Sequence, residues 1–398
     1  MRLPCYHASV NNPRFLAVGL LLALFVLTAA ACGKVRQPEG WASPAVSEST
    51  AYFFADNDRL VAVDLDAARA VSDPKSTTGG SLQPLLWEFP SNDQQDEDAY
   101  HIKAVYSAPV RDGQTLYIAA YDGALFRINA PDGRGERIAT QADIKGKIVA
   151  GPVLAGALLV FGTTEGHLYA VNKDNGQLPV GWSAGGKSLG KGMWAPPVVK
   201  DDSIIVATMD GKVRSFGLDG SQRWQQPFEA TGAIADLTLL NGTDLFVPTL
   251  DKKVYILDAA TGVQKGKEFV AEDWVWSTPA FADNVAYFGD FSGKVYALDI
   301  TTMSTKWKPY DAGTRVKASP VLIDGVLVLA DRAPVVHFID ASNGTAYNTV
   351  PIEGAGTIRA GLTAAGGKAY IATTEGKLFV ADPVKRSVVQ IGVSEAAK

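Results

Sequence analysis

One eight-residue pattern recurs along the chain and constrains its fold more than any other feature. A turn, usually with glycine at its second position, leads into an alternating apolar segment that ends in Asp or Asn. The copies are DGALFRIN at 122–129, EGHLYAVN at 165–172, DKKVYILD at 251–258, SGKVYALD at 292–299 and EGKLFVAD at 375–382. A chain that writes the same segment this often builds one structural unit several times.

A second motif, a small residue followed by proline and apolar residues, precedes each copy of the first. Its proline, or the residue in the same place, is Pro44, Pro109, Pro152, Pro197, Asp236, Pro279, Pro320 and Leu362. The successive spacings are 65, 43, 45, 39, 43, 41 and 42 residues. A period near 42 residues in eight copies indicates a repeat architecture.

Each unit contains the pattern of four short strands. The first strand starts at the proline, and the second is an apolar run such as NVAYFGD at 284–290. A tight turn leads to the third strand, and its closing Asp or Asn can bond the backbone of the next turn. Those closing residues are Asp64, Asn129, Asn172, Asp258, Asp299, Asp340 and Asp382. A tryptophan often marks the fourth strand, as at Trp87, Trp182, Trp224 and Trp307.

No amphipathic helical stretch of useful length accompanies these strands, so the units must cover one another. Sheets packed radially in a closed ring bury both faces of each sheet and hide the terminal edges. The sequence therefore predicts an all-β fold over residues 41–393: an eight-bladed β-propeller of four-stranded antiparallel blades, with an insertion at about 70–105 and a tail at 394–398. Either 387–393 completes blade eight alone, or residues before Trp41 add a strand to it.

The N-terminus carries an export signal. Arg2 and Arg14 precede an uncharged apolar run at 15–31, which ends in small residues before Cys32. This predicts a signal peptide at 1–32 and a tether at 33–40, so that the remaining chain is extracytoplasmic. The small residues before Cys32 resemble the lipobox of bacterial lipoproteins, which implies lipidation of Cys32. An uncleaved N-terminal helix is the alternative membrane anchor.

The repeating unit resembles the PQQ-type propeller repeat. That family's signature is a strand ending in ALD, a T-G or N-G turn and a tryptophan, and it stands here as VYALDITTMSTKW (295–307), VYILDAATG (254–262) and LYAVNKDNG (168–176). Blade four departs from it with Gly217 in the place of Asp. Blade seven departs with Ala333 and Pro334 at its turn and no closing tryptophan.

The same resemblance raises the question of whether this chain is an enzyme. Quinoprotein dehydrogenases of the family hold PQQ and calcium and usually carry an adjacent cysteine pair against the cofactor. This chain has no cysteine after Cys32, and its connections between blades are short. We therefore expect no catalytic residues, no cofactor and no metal, and a PQQ-dependent dehydrogenase is the least favoured of three functions.

Other polar features of the sequence do not point to chemistry. His167 and His337 fall at different positions of their third strands, so they do not form a repeated ligand set. The acidic segment 91–100 does not match the spacing of a calcium-binding loop and is interpreted as a solvated insertion or a partner contact. The net charge of −5 argues against nucleic-acid binding.

One set of side chains is predicted to form a binding surface. The residues three before the strand-start prolines occupy equivalent places in the ring, so bulky and basic ones there would rim one mouth of the channel. The alternative is that the tryptophans wedge between adjacent blades. With two neighbours of the set, Trp274 and Arg315, the predicted partner-binding residues are Trp41, Tyr106, Trp194, Trp274, Trp276, Arg315, Lys317 and Arg359.

The favoured function is a non-catalytic, exported, lipid-anchored scaffold that binds a protein partner in the cell envelope. The chain's size, signal and eight blades resemble lipoprotein subunits of the machinery that inserts β-barrels into bacterial outer membranes. That resemblance implies a β-barrel assembly subunit as the partner. The alternative is an extracytoplasmic ligand-binding or sensor propeller that uses the channel mouth.

Overall fold

The computed structural model describes residues 40–47, 49–56, 59–67, 85–91 and 100–391, and these residues form eight antiparallel sheets. The first four blades contain β1 (Ala45–Val46), β2 (Thr50–Asp56), β3 (Arg59–Asp64), β4 (Leu85–Phe89); β5 (Val110–Asp112), β6 (Thr115–Ala119), β7 (Leu125–Asn129), β8 (Gly135–Arg137); β9 (Ile148–Ala155), β10 (Leu158–Thr163), β11 (His167–Asn172), β12 (Lys187–Ser188); and β13 (Val198–Lys200), β14 (Ser203–Ala207), β15 (Lys212–Gly217), β16 (Phe228–Glu229). The last four contain β17 (Thr238–Leu240), β18 (Asp244–Pro248), β19 (Lys253–Asp258), β20 (Phe269–Val270); β21 (Ala280–Ala282), β22 (Val285–Gly289), β23 (Lys294–Asp299), β24 (Ser304–Thr305), β25 (Tyr310–Asp311); β26 (Val321–Ile323), β27 (Val326–Ala330), β28 (Val335–Asp340), β29 (Ala346–Pro351); and β30 (Thr363–Ala365), β31 (Lys368–Ala372), β32 (Leu378–Asp382), β33 (Ser387–Ile391).

These sheets confirm the predicted eight-bladed propeller. Each blade runs through its four strands in chain order, and β25 adds a second outer segment to blade six. Of the described residues only 65–67 are helical. β4 lies inside the predicted insertion at 70–105, while residues 68–84 and 92–99 on either side of it lie outside the described residues.

The hydrophobic core lies between blades, because the strands in the middle of each blade are apolar on both faces. In blade six, all five residues of β22 are buried. One side of that blade packs against blade seven, where Val285 and Val295 share a cluster with Leu327, and the other side packs against blade five, where Phe288 joins Phe246. Eight such clusters occupy the eight junctions between neighbouring blades.

The ring closes by packing of blade eight on blade one. Phe53 of β2 shares a buried cluster with Tyr370 of β31. Near the axis, the Thr363 hydroxyl donates to the Pro44 carbonyl at 2.7 Å. β33 pairs with β32 as the fourth strand of blade eight, so 387–391 completes that blade.

The family signature forms the contact between consecutive blades. The indole N–H of Trp224 in blade four donates to the Ala260 carbonyl in blade five at 2.9 Å, and its ring covers Gly262. A Cβ at Gly262 would lie 2.5 Å from Trp224 Cε3. Similar N–H bonds to the next blade are made by Trp87, Trp182 and Trp307.

Two details of the predicted unit need correction. Trp87 does lie in a fourth strand, but Trp182 and Trp224 precede theirs, and Trp307 lies between β24 and β25. Their position is set by the neighbouring blade's turn and not by pairing within their own sheet. Blade three also differs from the prediction. Its first strand, β9, was expected to start at Pro152, but it starts at Ile148 and includes Pro152 in its middle.

The closing Asp or Asn of the third strand acts as predicted in all but one case. Asp299 Oδ1, for example, accepts the backbone N–H groups of Thr301 and Thr302, both at 3.0 Å. The exception is Asn129, whose side-chain amide donates to Asp132 instead. In blade four, Asp219 replaces the missing aspartate at Gly217 and accepts the N–H of Ser221.

We predict that Gly262→Ala destabilises the protein more than Gly242→Ala. Both glycines have left-handed backbones, with φ of 74° and 76°, so each alanine costs about 1–2 kcal/mol of backbone strain. Only Gly262 is covered by Trp224, whereas no atom lies within 4 Å of a Cβ at Gly242. Overpacking adds about 1–3 kcal/mol at Gly262, which urea unfolding of both variants would measure. Equal losses would show that the tryptophan–glycine contact does not hold the blades.

Candidate functional site

The candidate site lies at the axis of the ring, which the first strands surround. The first strands of neighbouring blades approach one another, as β5 does with β9, β21 with β26, and β1 with β30. The residues that lead into these strands therefore project toward a shared channel.

Three tryptophans meet in this channel. The Trp41 ring stacks on the Trp194 ring with centroids 6.4 Å apart, and Trp194 meets Trp276 edge-on at 5.9 Å. The Tyr106 ring lies perpendicular to the Trp41 ring, with centroids 4.4 Å apart. These residues precede blades one, four, six and two, so most of the contacts join blades that are not neighbours. The tryptophans thus lie across the channel and are not wedged between adjacent blades.

Lys317 completes this layer from blade seven. Its Nζ lies 3.7 Å from the ring centroid of Trp41 and 4.7 Å from that of Trp276. Cation–π attraction to two indoles holds the ammonium group in place. Burial, with a smaller contribution from the Arg359 guanidinium, lowers the pKa of Lys317 to about 8, so the ammonium form still predominates at neutral pH. We call Trp41, Tyr106, Trp194, Trp276 and Lys317 the channel septum.

A basic groove opens on one side of the septum. The Trp276 ring stacks on Phe291 at 6.1 Å, and the exposed Arg315 guanidinium lies 5.7 Å from the same phenyl ring. Trp274 packs against Phe291 and keeps 44% of its surface exposed. The groove encloses about 220 Å³ and contains four cationic and no acidic side chains; its lining is Trp41, Trp276, Phe291, Arg315, Lys317, Arg332, Thr357, Ile358 and Arg359.

The septum also borders a polar cavity of about 180 Å³ in the channel. Asp236 reaches this cavity from the start of blade five. Its carboxylate accepts the Leu237 N–H at 2.7 Å and the Thr278 hydroxyl at 3.0 Å. The Ser319 hydroxyl donates in turn to Thr278 Oγ1 at 2.8 Å. Burial raises the pKa of Asp236 to about 7, although both hydrogen bonds favour the ionised form.

The structure brings the predicted site residues together. Six of them line the polar cavity: Trp41, Tyr106, Trp194, Trp276, Lys317 and Arg359. Arg315 and Trp274 lie at Phe291, on the groove side. Their role in partner binding stays a prediction. Cys32 and the acidic residues of 92–99 lie outside the described residues.

Sequence reasoning missed Phe291, Arg332 and Asp236 as site residues. Phe291 and Arg332 belong to the turns between second and third strands. The prediction considered only residues that precede the first strands, so it could not include them. Asp236 did carry a signal, because it replaces the proline found at six of the eight equivalent positions. An acidic residue at a position otherwise held by proline or leucine is the sequence signal that could have identified Asp236.

The two histidines of the third strands have separate structural surroundings. His337 is buried, where Nδ1 meets the Tyr310 hydroxyl at 3.0 Å and Nε2 meets Asp331 at 3.3 Å. His167 starts β11 in blade three. Within the described part of the chain, no three His, Cys, Asp or Glu side chains are grouped to hold a metal ion. Nor does any helix there have the length and apolar character to cross a membrane.

Comparison with known proteins gives one family. The family model described as outer membrane protein assembly factor BamB matches residues 42–179 and 141–350, which together cover most of the chain. BamB of Yersinia pestis is 22% identical over 53% of this chain and 50% of its own length. BamB of Burkholderia pseudomallei is 29% identical over 29% of each protein. The matches thus span half or less of these relatives' length.

A solved structure supports the fold alone. The crystal structure of the computationally designed protein Ika8 superposes with a TM-score of 0.68 at 15% identity, over 87% of this chain and 97% of Ika8. At this identity, the similarity carries no information about function.

We predict that Asp236→Asn stabilises the protein relative to the wild type as pH rises. The pKa of Asp236 is about 7 when folded and 3.8 as its ordinary value, so the folded wild type holds an extra proton between these values and loses stability as pH rises through them. The asparagine variant lacks this loss. Its relative gain in unfolding free energy should reach at most about 4 kcal/mol between pH 4 and pH 8.

Urea unfolding of both proteins at the two pH values would measure this gain. Asp219→Asn is the matched control, because hydrogen bonds from Ser221 lower the pKa of that exposed aspartate, so its titration lies below pH 4 and its substitution should leave the difference between pH 4 and pH 8 nearly unchanged. A pH-independent difference between wild type and Asp236→Asn would show that Asp236 is not an uncompensated buried acid.

Proposed function

Because the chain belongs to the family of PQQ-type propellers described as outer membrane protein assembly factor BamB, we propose that it is a non-catalytic scaffold in outer-membrane β-barrel assembly. In this proposal it is exported, anchored to the membrane through Cys32, and bound to a β-barrel assembly subunit. The family match over 42–350 and the names of the relatives support this role.

The basic groove is the observation that carries the proposed protein contact. Exposed tryptophan beside arginine is the composition found at the energetic centres of protein interfaces. Trp274 and Arg315 flank the same phenyl ring, so both can contact one partner segment. Four cations without an acidic lining residue favour a partner segment that is acidic and carries an apolar or aromatic side chain.

The proposal of a non-enzyme rests on the relatives and on the cysteine content. The relatives are named as assembly factors. The sequence contains no cysteine after Cys32, so it cannot supply the adjacent cysteine pair usual in the family's quinoprotein dehydrogenases. A ligand-binding or sensor propeller is the second candidate, and the polar channel cavity favours it.

We predict that Trp274→Ala and Arg315→Glu each weaken partner binding about 10- to 100-fold. Loss of an anchor residue at an interface centre costs about 1.4–2.8 kcal/mol. Pull-down of the native protein in mild detergent with mass spectrometry would first identify the β-barrel assembly subunit. Titration of the purified subunit would then give the affinities of wild type and variants.

The matched control for this experiment is Arg137→Glu, which makes the same charge change at an exposed position of β8, away from the groove. Arg315→Glu and Arg137→Glu should unfold at similar urea concentrations. Recovery of no membrane-assembly partner would contradict the scaffold role. Equal weakening by Arg137→Glu would show that net charge, and not the groove, determines binding.

We predict that Cys32→Ser releases the protein from the membrane fraction, because the substitution removes the thiol that would carry the lipid. Fractionation and the mass of the mature N-terminus would measure both anchoring and cleavage. A wild-type protein with its leader intact and Cys32 unmodified would favour the uncleaved helix anchor. The propeller itself should bind its partner in either case.

A further inference from the structure

We propose that the polar channel cavity is a second binding site, which takes a small organic ammonium ion at the Asp236 carboxylate. This site does not depend on the proposed scaffold role. It is built from Asp236 and the hydroxyl groups that follow it around the channel in blades six, seven and one.

Position 236 departs from the equivalent positions of the other blades without changing the sheet that follows it. Six of the eight equivalent positions are proline and one is leucine, and the blades that carry them form the same four-stranded sheets. A partly buried carboxylate without a neighbouring counter-charge is disfavoured, so an apolar residue would suit the fold better here. Local departures of this kind are expected at functional positions.

The hydrogen bonds around Asp236 leave it as an acceptor for something further. Ser319 donates to Thr278 Oγ1, and Thr278 donates to Asp236 Oδ2, so the hydroxyl protons point toward the carboxylate. The Thr278 backbone N–H donates to Ser319 Oγ at 3.0 Å. An ionised carboxylate has about four acceptor positions, and only the Leu237 N–H and the Thr278 groups address Asp236. No charged side chain contributes to the pKa of Asp236.

Gly361 packs closely against this hydroxyl chain. A Cβ at Gly361 would lie 3.0 Å from Ser319 Cβ and 3.3 Å from Ser43 Oγ. A larger residue at this position would therefore crowd both serines at the wall of the cavity. Ser107, on the other side of Ser43, has a buried hydroxyl that finds no partner among the described residues.

The cavity favours a cation with an apolar part. A carboxylate and hydroxyl oxygens attract positive charge, and the tryptophans of the septum offer aromatic surface to the rest of the ligand. The charged groups that border the cavity are Asp236, Lys317 and Arg359. Lys317 belongs to the septum, and Arg359 lines the basic groove as well as the cavity, so an ammonium group would be repelled by both and drawn to Asp236.

Titration calorimetry of the full-length chain in detergent with ethylammonium chloride tests this site. The solutions contain N-methyl-D-glucamine chloride at matched ionic strength, so that no small inorganic cation competes for the site. We expect ethylammonium to bind at about pH 8 and to bind about tenfold more weakly at about pH 6, where Asp236 is protonated. Ethylammonium remains protonated at both values.

Two variants separate charge from space. Asp236→Asn keeps the shape of the cavity and should weaken binding at least tenfold, while Gly361→Val should block binding by pushing Ser319 and Ser43 into the cavity. Because Lys317 also titrates in this range, the pH effect must persist in Lys317→Met. Scaffold function is measured separately by partner titration, so failure at one site is distinguishable from failure at the other.

Three results would overturn the assignment. Equal binding of ethanol would show that the cavity does not select charge. Binding of potassium but not ethylammonium would identify an alkali-ion site instead. If the folded wild-type protein gave no heat of binding with ethylammonium, Asp236 would not be a binding site for an organic ammonium ion.

Discussion

Every blade of this propeller depends on its neighbours, because the middle strands are apolar on both faces. If either face of a blade were left open to solvent, a row of apolar side chains would be exposed to water. The tryptophan of one blade lies on the turn glycine of the next and donates to that turn's carbonyl, as Trp224 does at Ala260. The indole ring can lie flat on the turn only because glycine has no side chain there, and the indole N–H donates to a carbonyl of the same turn. The signature residues are therefore two halves of one contact, each contributed by a different repeat.

That dependence explains why the fold could be predicted from the sequence. A period near 42 residues requires equivalent contacts at each junction, and strand alternation fixes which side chains face them. The places where the tryptophans lie could not be predicted as well. Trp182 and Trp307 read as strand residues within their own repeats, yet the turn of the following blade determines their position. The pattern within one repeat does not reveal an interaction between two.

The channel was predictable to a similar degree. Equivalence placed Trp41, Trp194 and Trp276 at one level of the ring, and they do lie there. Their stacking across the axis depends on the channel radius and on side-chain direction, which a linear spacing does not contain. Phe291 and Arg332 were not predicted as site residues because they belong to turns between second and third strands and not to the strand starts. Only the assembled ring brings them close to Arg315.

The septum borders two different environments, the basic groove without acidic side chains and the polar cavity that contains Asp236. Lys317 belongs to both linings, with its charge held between two indoles, and it keeps the groove side cationic while the hydroxyl chain ends at Asp236. Residues that repeat, such as the turn glycines and strand-start prolines, hold the ring together. Residues that break the repeat, such as Asp236 and Lys317, have surroundings that raise the energy of their charged forms. Charged groups whose ionised forms are disfavoured are often found at functional sites, and for this reason we propose both residues as parts of binding sites.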